Sequence, residues 1–428
     1  MMRDTKPSFW EAFRVWAKIG FLSFGGPAGQ IALMHRVVVD EKKWVSEPQF
    51  LHALNFCMLL PGPEAQQLAT YIGWLLHRAW GGVVAGLLFI LPGFLLILGL
   101  ATVYALWREV PLIGGIFYGL QAAVLAIVAQ AVVRVAKRAI KTRLLLGIAA
   151  LSFIAIFAIK LPFPLIILAA ALAGWLIGRS KPESILPGGI KADADVLPSV
   201  PPTLQRNLII LMVFALLWGL PVLGLHLIYG ESHVLSRIAV FFSEMAVVTF
   251  GGAYAVLAYV GQQAVQAFGW LSPAEMVDGL GLAETTPGPL ILVLTFVGYL
   301  ASFRLSGIEP QWLGGLIGGT LATWVTFVPC FLWIFLGAPY VERLRHVAAL
   351  NHALTAITAA VVGVILNLAV WFGLHVVFKD GILDWGHLDI TAAIMSVIAL
   401  VAALRFNLGL GWLLSLAAII GVAVKHLF

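Results

Sequence analysis

Two short stretches, LLPGPEAQQLATY at residues 59–71 and AETTPGPLIL at 283–292, set a Pro-Gly-Pro triplet and a glutamate into runs that are otherwise largely apolar. A proline inside a helix removes one backbone hydrogen bond and crowds the preceding turn, costing about 3 kcal/mol or more unless neighbours compensate. The freed N–H and C=O groups are tolerated in a bilayer only where protein buries them or water reaches them. A half-helix that begins at such a break aims bare N–H groups and the positive end of its dipole inward, a seat for an anion that needs no lysine or arginine. Pro61, Gly62 and Pro63, with Pro287, Gly288 and Pro289, are therefore candidate substrate-binding residues. Upstream of each triplet lies a Gly-Gly break, FGGPAGQ at 24–30 and FGG at 250–252. Gly25, Gly26, Gly251 and Gly252 have no Cβ and let backbone approach a ligand, with Pro27 following the first pair. Ser23, Gln30, Gln67, Thr249, Thr285 and Thr286 stand beside the breaks as polar helpers. Close helix packing for the glycines and simple kinks for the prolines are the competing explanations.

The two glutamates sit differently. Glu64 follows Pro63 into a first helical turn, where the dipole favours negative charge, and its partner position in the second stretch is Leu290. Glu284 precedes its break, near a half-helix C-terminus, where negative charge is disfavoured. Both are candidates to exchange a coupling proton, while capping of freed N–H groups is an equal alternative for Glu64. Arg36 lies nine residues past Pro27, about 13 Å along a helix, and is either a snorkelling anchor or a cation that gathers anions at the mouth of a pathway. Glu244 is a further candidate buried acid. No Gly-x-Ser-x-Gly, His-Glu-x-x-His or intramembrane aspartate pair is present, so an enzyme is not expected. Cys57 and Cys330 read as small buried hydrophobes, and the histidines lack metal-ligand spacing, so neither metal nor cofactor is expected.

The elements that must hold these residues are membrane helices. The 428 residues are 61% hydrophobic and 11% charged, and apolar runs of about 17 to 25 residues recur throughout. The expected fold class is all-α, a polytopic transmembrane bundle, with spans at 11–36, 50–76, 80–107, 112–135, 143–160, 162–179, 206–229, 236–262, 277–302, 312–338, 352–378, 389–404 and 407–425. The first two of each half are the ones expected to break or re-enter. The net charge of +6 resides in loops rather than along one face, which argues against nucleic acid. RVAKRAIKTR at 134–143 and the basic residues around 179–206 place those loops, and the N-terminus, on the cytoplasmic side. Residues 36–47, with Arg36, Lys42 and Lys43, run against this, because a crossing first span would put them outside.

FGG, Trp44, Ser46 and Pro-Gly-Pro recur as FGG, Trp270, Ser272 and Pro-Gly-Pro at a constant offset of 226 residues (250 − 24). An odd number of spans precedes the second copy, so the copies are expected to be inverted: 1–180 as one repeat, 181–234 as linker plus connecting helix, and 235–428 as the other. Trp44 and Trp270 are expected at membrane interfaces. FGGPAGQ, LPGPEA, the second FGG and TTPGPL together resemble the chromate ion transporter family, whose long members are two fused homologous halves. The resemblance covers roughly 20–135 and 245–370. It implies export of chromate across a cell inner membrane at the expense of the proton motive force, hence chromate resistance. The residues themselves leave sulfate or another oxyanion, and a passive channel, open. The partners so implied are an oxyanion and the lipid bilayer, with a homodimer compatible with both.

Overall fold

The computed structural model describes residues 7–185, 203–250, 253–340, 347–378, 384–406 and 408–427. Its helices are α1 (Phe9–Leu22), α2 (Gly26–His35), α3 (Glu47–Cys57), α4 (Glu64–Trp107), α5 (Pro111–Ala139), α6 (Arg143–Phe157), α7 (Phe163–Ser180), the one-turn α8 (Pro182–Ile185), α9 (Leu204–Phe214), α10 (Leu220–Tyr229), α11 (Val234–Val248), α12 (Ala253–Gln262), α13 (Pro273–Thr285), α14 (Val293–Leu305), α15 (Gln311–Gly337), α16 (Ala348–Val377), α17 (Ile390–Arg405) and α18 (Leu410–Leu427). Among the described residues, six helical segments are long and apolar enough to cross a membrane, so the all-α polytopic expectation holds. One of the six, Leu204–Tyr229, has no buried residue in its apolar window and lies against the outside of the bundle.

Breaks fall where glycine and proline require them. Between α1 and α2 the chain turns at Gly25 (φ 87) and Gly26 (φ 70). Between α3 and α4 it turns at Gly62 (φ 122), and between α13 and α14 at Gly288 (φ 95). The 44-residue α4 is itself a hairpin: backbone angles leave the helical region at His77 and Arg78 (φ 56), and a Cβ on Gly73 would land on the Gly81 carbonyl. In one continuous helix those two residues would be about 12 Å apart. The expected spans 50–76 and 80–107 therefore part where expected, the first of them broken at 58–63.

Side-chain contacts fix which end of the bundle each turn occupies. Lys42 Nζ lies 2.8 Å from Glu11 Oε1 in the first turn of α1, and His77 Nε2 lies 2.9 Å from the Pro7 carbonyl. Hence α1–α2 and α3 with the first arm of α4 each enter from one end, turn at a break and return to that same end, here face A. Residues 36–47 join the N-terminus on face A, which corrects the expectation that they lie opposite it. The clash with the basic loops disappears, because a re-entrant pair does not change sides. At the far end, face B, His233 Nε2 lies 3.3 Å from the Ser306 carbonyl, and Arg304 reaches Glu275 and the Trp270 carbonyl. There α11–α12 and α13–α14 make the same two re-entrant pairs.

Helices approach closely through glycine, since apolar side chains gain little from one another in lipid. Gly20 meets the Leu88 carbonyl, Gly298 meets Gly318, and Gly119 meets the Ala417 carbonyl. The long α5 packs on α17 and α18, and the long α16 packs on α6 and α7, so each half's last hairpin seals the other half. One sequence expectation changes at this level: Glu244 is exposed rather than a buried acid. Trp270, on face B beside Arg304, is only 1% exposed and packs among Phe241, Phe242 and Phe268.

Candidate substrate site at the helix breaks

All described breaks meet, and they meet reciprocally. The Gly62 N–H donates to the Thr249 carbonyl at 2.8 Å, and the Gly288 N–H donates to the Ser23 carbonyl at 2.9 Å. Both donors and both acceptors are related by the same offset of 226, so each half's Pro-Gly-Pro corner grips the other half's first break. Such an exchange is what a two-fold axis produces. Gln30 Nε2 adds bonds to the Gly288 carbonyl at 2.6 Å and the Ser23 carbonyl at 3.3 Å. Behind the corners, Gly62 rests on Cys330 Sγ and Gln67, while Gly288 rests on Gly93 and the Phe89 carbonyl.

The polar helpers are engaged internally in this conformation. Ser23 Oγ donates to the Ile19 carbonyl at 2.6 Å, Thr249 Oγ1 to Met245, Thr285 Oγ1 to Leu282 at 2.8 Å and Thr286 Oγ1 to Ala283 at 3.3 Å. All four bond back one turn, a common resting state for hydroxyls in helices. Gln67 Nε2 donates to the Pro61 carbonyl at 2.7 Å. By contrast, the side-chain oxygens of Gln30, Gln66 and Gln67 are buried and find no hydrogen-bond donor among the described residues. An unmet buried acceptor costs about 1–3 kcal/mol, which a bridging water relieves.

Helix starts divide into two kinds. At the ends of the bundle, α3 and α13 begin with matching capping boxes, Ser46 with Gln49 and Ser272 with Glu275. At the breaks, α2 behind Gly25 and α4 behind Pro63 begin without any side-chain cap. Pro27 is half-buried at the start of α2, and Pro289, buried, leads into the 3-10 turn Leu290–Leu292. The Pro287 carbonyl is pressed against Gly93. Arg36 is exposed at the end of α2, paired with Glu41 at 3.7 Å, and is not among the residues that gather at the breaks. Gly251 and Gly252 lie outside the described residues.

Glu284 is buried at the end of α13, where Tyr254 Oη donates to it at 2.5 Å, and Glu64 is half-buried at the start of α4. Arg134 exerts a coulombic pull on Glu284 and Tyr254, and Arg138 on Glu64, weaker in each case than the effect of burial. Sequence reasoning read both arginines as loop charge. They fall on α5, which runs to Ala139, and their i, i+4 spacing, which puts them on one helix face, was the available signal. Tyr254 carried no signal of its own.

A second group also escaped the sequence. Asp278, 0% exposed, accepts from Tyr104 Oη at 2.7 Å and Gln121 Nε2 at 2.8 Å. Arg108 spans Asp278 at 3.5 Å and Glu275 at 3.3 Å, and Glu275 also receives Arg304 at 2.6 Å. These bonds tie α13 to α4 and α5 at face B. The matching positions in the first half, His52 and Gln49, carry no carboxylate. Asp278→Ala leaves buried donors of Tyr104 and Gln121 unmet and is expected to destabilise the protein by about 2–4 kcal/mol. A thermal midpoint measured in detergent and unchanged from wild type would remove this network from the fold's support.

A family model described as chromate transporter matches residues 10–175 and 236–422. The chain is 29% identical to a chromate transport protein of Cupriavidus metallidurans, over 96% of this chain and 92% of that protein. It is 33% identical to a chromate transport protein of Pseudomonas aeruginosa, over 84% and 79%. Against a probable chromate transport protein of Synechococcus elongatus the identity is 28%, over 83% and 82%. No solved structure matches the chain.

Proposed function

The chain belongs to the chromate transporter family, and from that premise we propose that it exports chromate from the cytoplasm across a cell inner membrane, driven by protons, by alternating access. Its repeats are residues 1–180 and 235–428, inverted with respect to each other and joined by 181–234. Face A, which carries the N-terminus and the basic stretch 134–143, is the cytoplasmic side. The observation that carries this reading is the reciprocal pair of bonds, Gly62 to Thr249 and Gly288 to Ser23.

In the described conformation the corners hold each other. A transported oxyanion exchanges those contacts for its own, taking the uncapped first-turn amides of α2 and α4 as donors. Ser23, Gly25, Gly26, Pro27, Gln30, Pro61, Gly62, Pro63 and Gln67 form one side of the seat. Thr249, Thr285, Thr286, Pro287, Gly288 and Pro289 form the other. Arg134 and Arg138 draw the dianion along α5 from face A, with Arg36 at the mouth. Glu284, held by Tyr254, takes up the coupling proton, and Glu64 is the alternative carrier.

Uptake of labelled chromate and sulfate into inverted vesicles tests this. Chromate is expected to accumulate when a proton gradient is imposed and to stop when it is collapsed. Uptake that ignores the gradient would make the protein a channel, and uptake of neither anion would end the transport reading.

A further inference from the structure

Near face B a cavity of about 120 Å³ opens between the α6–α7 turn, the end of α12 and the second half of α16. That is the share of roughly four waters at about 30 Å³ each. Its polar lining is Lys160, Gln262, Gln266 and Asn367, set against apolar walls that include Trp371 and Phe157. One ammonium and three primary amides line it, and no carboxylate does so among the described residues. Lys160 is held in the turn at φ 58, a left-handed conformation that few side chains adopt without support.

Its place in the repeat gives the cavity meaning. Gln262 stands where Arg36 stands in the first half (262 − 36 = 226); Arg36 is the first residue of the π-helix Arg36–Glu41, and Gln262 immediately precedes the π-helix Gln263–Ala267. Wide π turns inside helices recur at functional sites. The cation that position 262 lacks is supplied by Lys160, from a different hairpin.

We infer that the Lys160 cavity is an oxyanion-binding site at face B, a counterpart to Arg36 at face A, through which the transported anion passes on the far side of the breaks. This rests on the anion-transport reading for the identity of the guest. An exposed cation at the mouth of a cleft with amide donors raises the local concentration of a tetrahedral dianion and orients its oxygens.

The test uses the full chain in proteoliposomes, made once with zwitterionic and once with anionic lipid. Gln266→Cys, or Asn367→Cys if the first folds poorly, is labelled with anionic and cationic thiosulfonates, while Cys57 and Cys330 stay buried. The anionic reagent is expected to react about tenfold faster than the cationic one, the preference to vanish with Lys160→Gln, and soluble sulfate or molybdate to slow it. No charge preference, or no protection by either anion, overturns the site. Protection by anionic lipid but not by the soluble anions assigns the cavity to a headgroup and overturns the passage role. In transport, Lys160→Gln is expected to raise the half-saturating chromate concentration about tenfold more than it lowers the maximal rate, and Lys160→Arg to restore it. An equal loss in both would also overturn the inference. Labelling needs no transport, so an anion-protected thiol in a chain that moves no chromate would leave the site standing while the transport reading falls.

Discussion

Gly62→Ala is expected to reduce chromate transport below about 1% of wild type. Gly62 holds φ 122, outside the region open to L residues, and a Cβ there would stand 2.8 Å from Cys330 Sγ and 2.9 Å from Gln67 Nε2. Backbone strain of about 1–3 kcal/mol and overpacking of similar size act on the one residue whose N–H joins the halves at Thr249. The repeat suggests the remedy. Gly288, its counterpart, faces Gly93, whereas Gly62 faces Cys330. Cys330→Gly added to Gly62→Ala removes the closest overpacked contact but neither the one at Gln67 nor the strain, and is expected to recover activity several-fold without reaching wild type. Uptake measured at matched protein levels decides this, and full activity in the single variant would show that the corner tolerates displacement.

Glu284→Gln is expected to abolish accumulation driven by a proton gradient while chromate still equilibrates down its own gradient. The substitution keeps the shape and the hydrogen bond from Tyr254 but removes the titrating group. Tyr254→Phe is expected to weaken coupling by about two- to tenfold, because it removes one hydrogen bond worth about 0.5–1.5 kcal/mol. Glu64→Gln in the same assay separates the two candidates. If coupling survives loss of Glu284 but fails with Glu64, the proton passes through the first half instead. If it survives both, neither carboxylate carries it.

Much of the fold was legible because the breakers act locally. Gly25, Gly26, Gly62 and Gly288 all take positive φ, and a proline's effect on its own helix needs no distant partner. The constant offset of 226 was likewise legible, since it is a property of the string alone. Sidedness was not. Whether residues 36–47 return to face A depends on Lys42 finding Glu11, and a short apolar helix reads the same whether it crosses or turns back. The Asp278 network was hidden for a related reason: its partners Tyr104 and Gln121 lie 174 and 157 residues away in the chain. The recurrence of Ser46 as Ser272 marked the start of α13 but not its partners. Glu244 shows the opposite error, a charge assigned to the interior by position within an apolar run, although it faces outward.

Inversion of the two halves is tested most directly by the side from which single cysteines can be reached. Lys43 and Gly269 are paired by the repeat offset and share positive φ, at 53° and 61°. In intact cells and in inverted vesicles, Lys43→Cys is expected to label from the same side as Lys141→Cys, and Gly269→Cys from the opposite side, together with Gly230→Cys. Labelling of Lys43→Cys and Gly269→Cys from one common side would contradict inverted re-entrant halves, and with them the shared seat at the breaks.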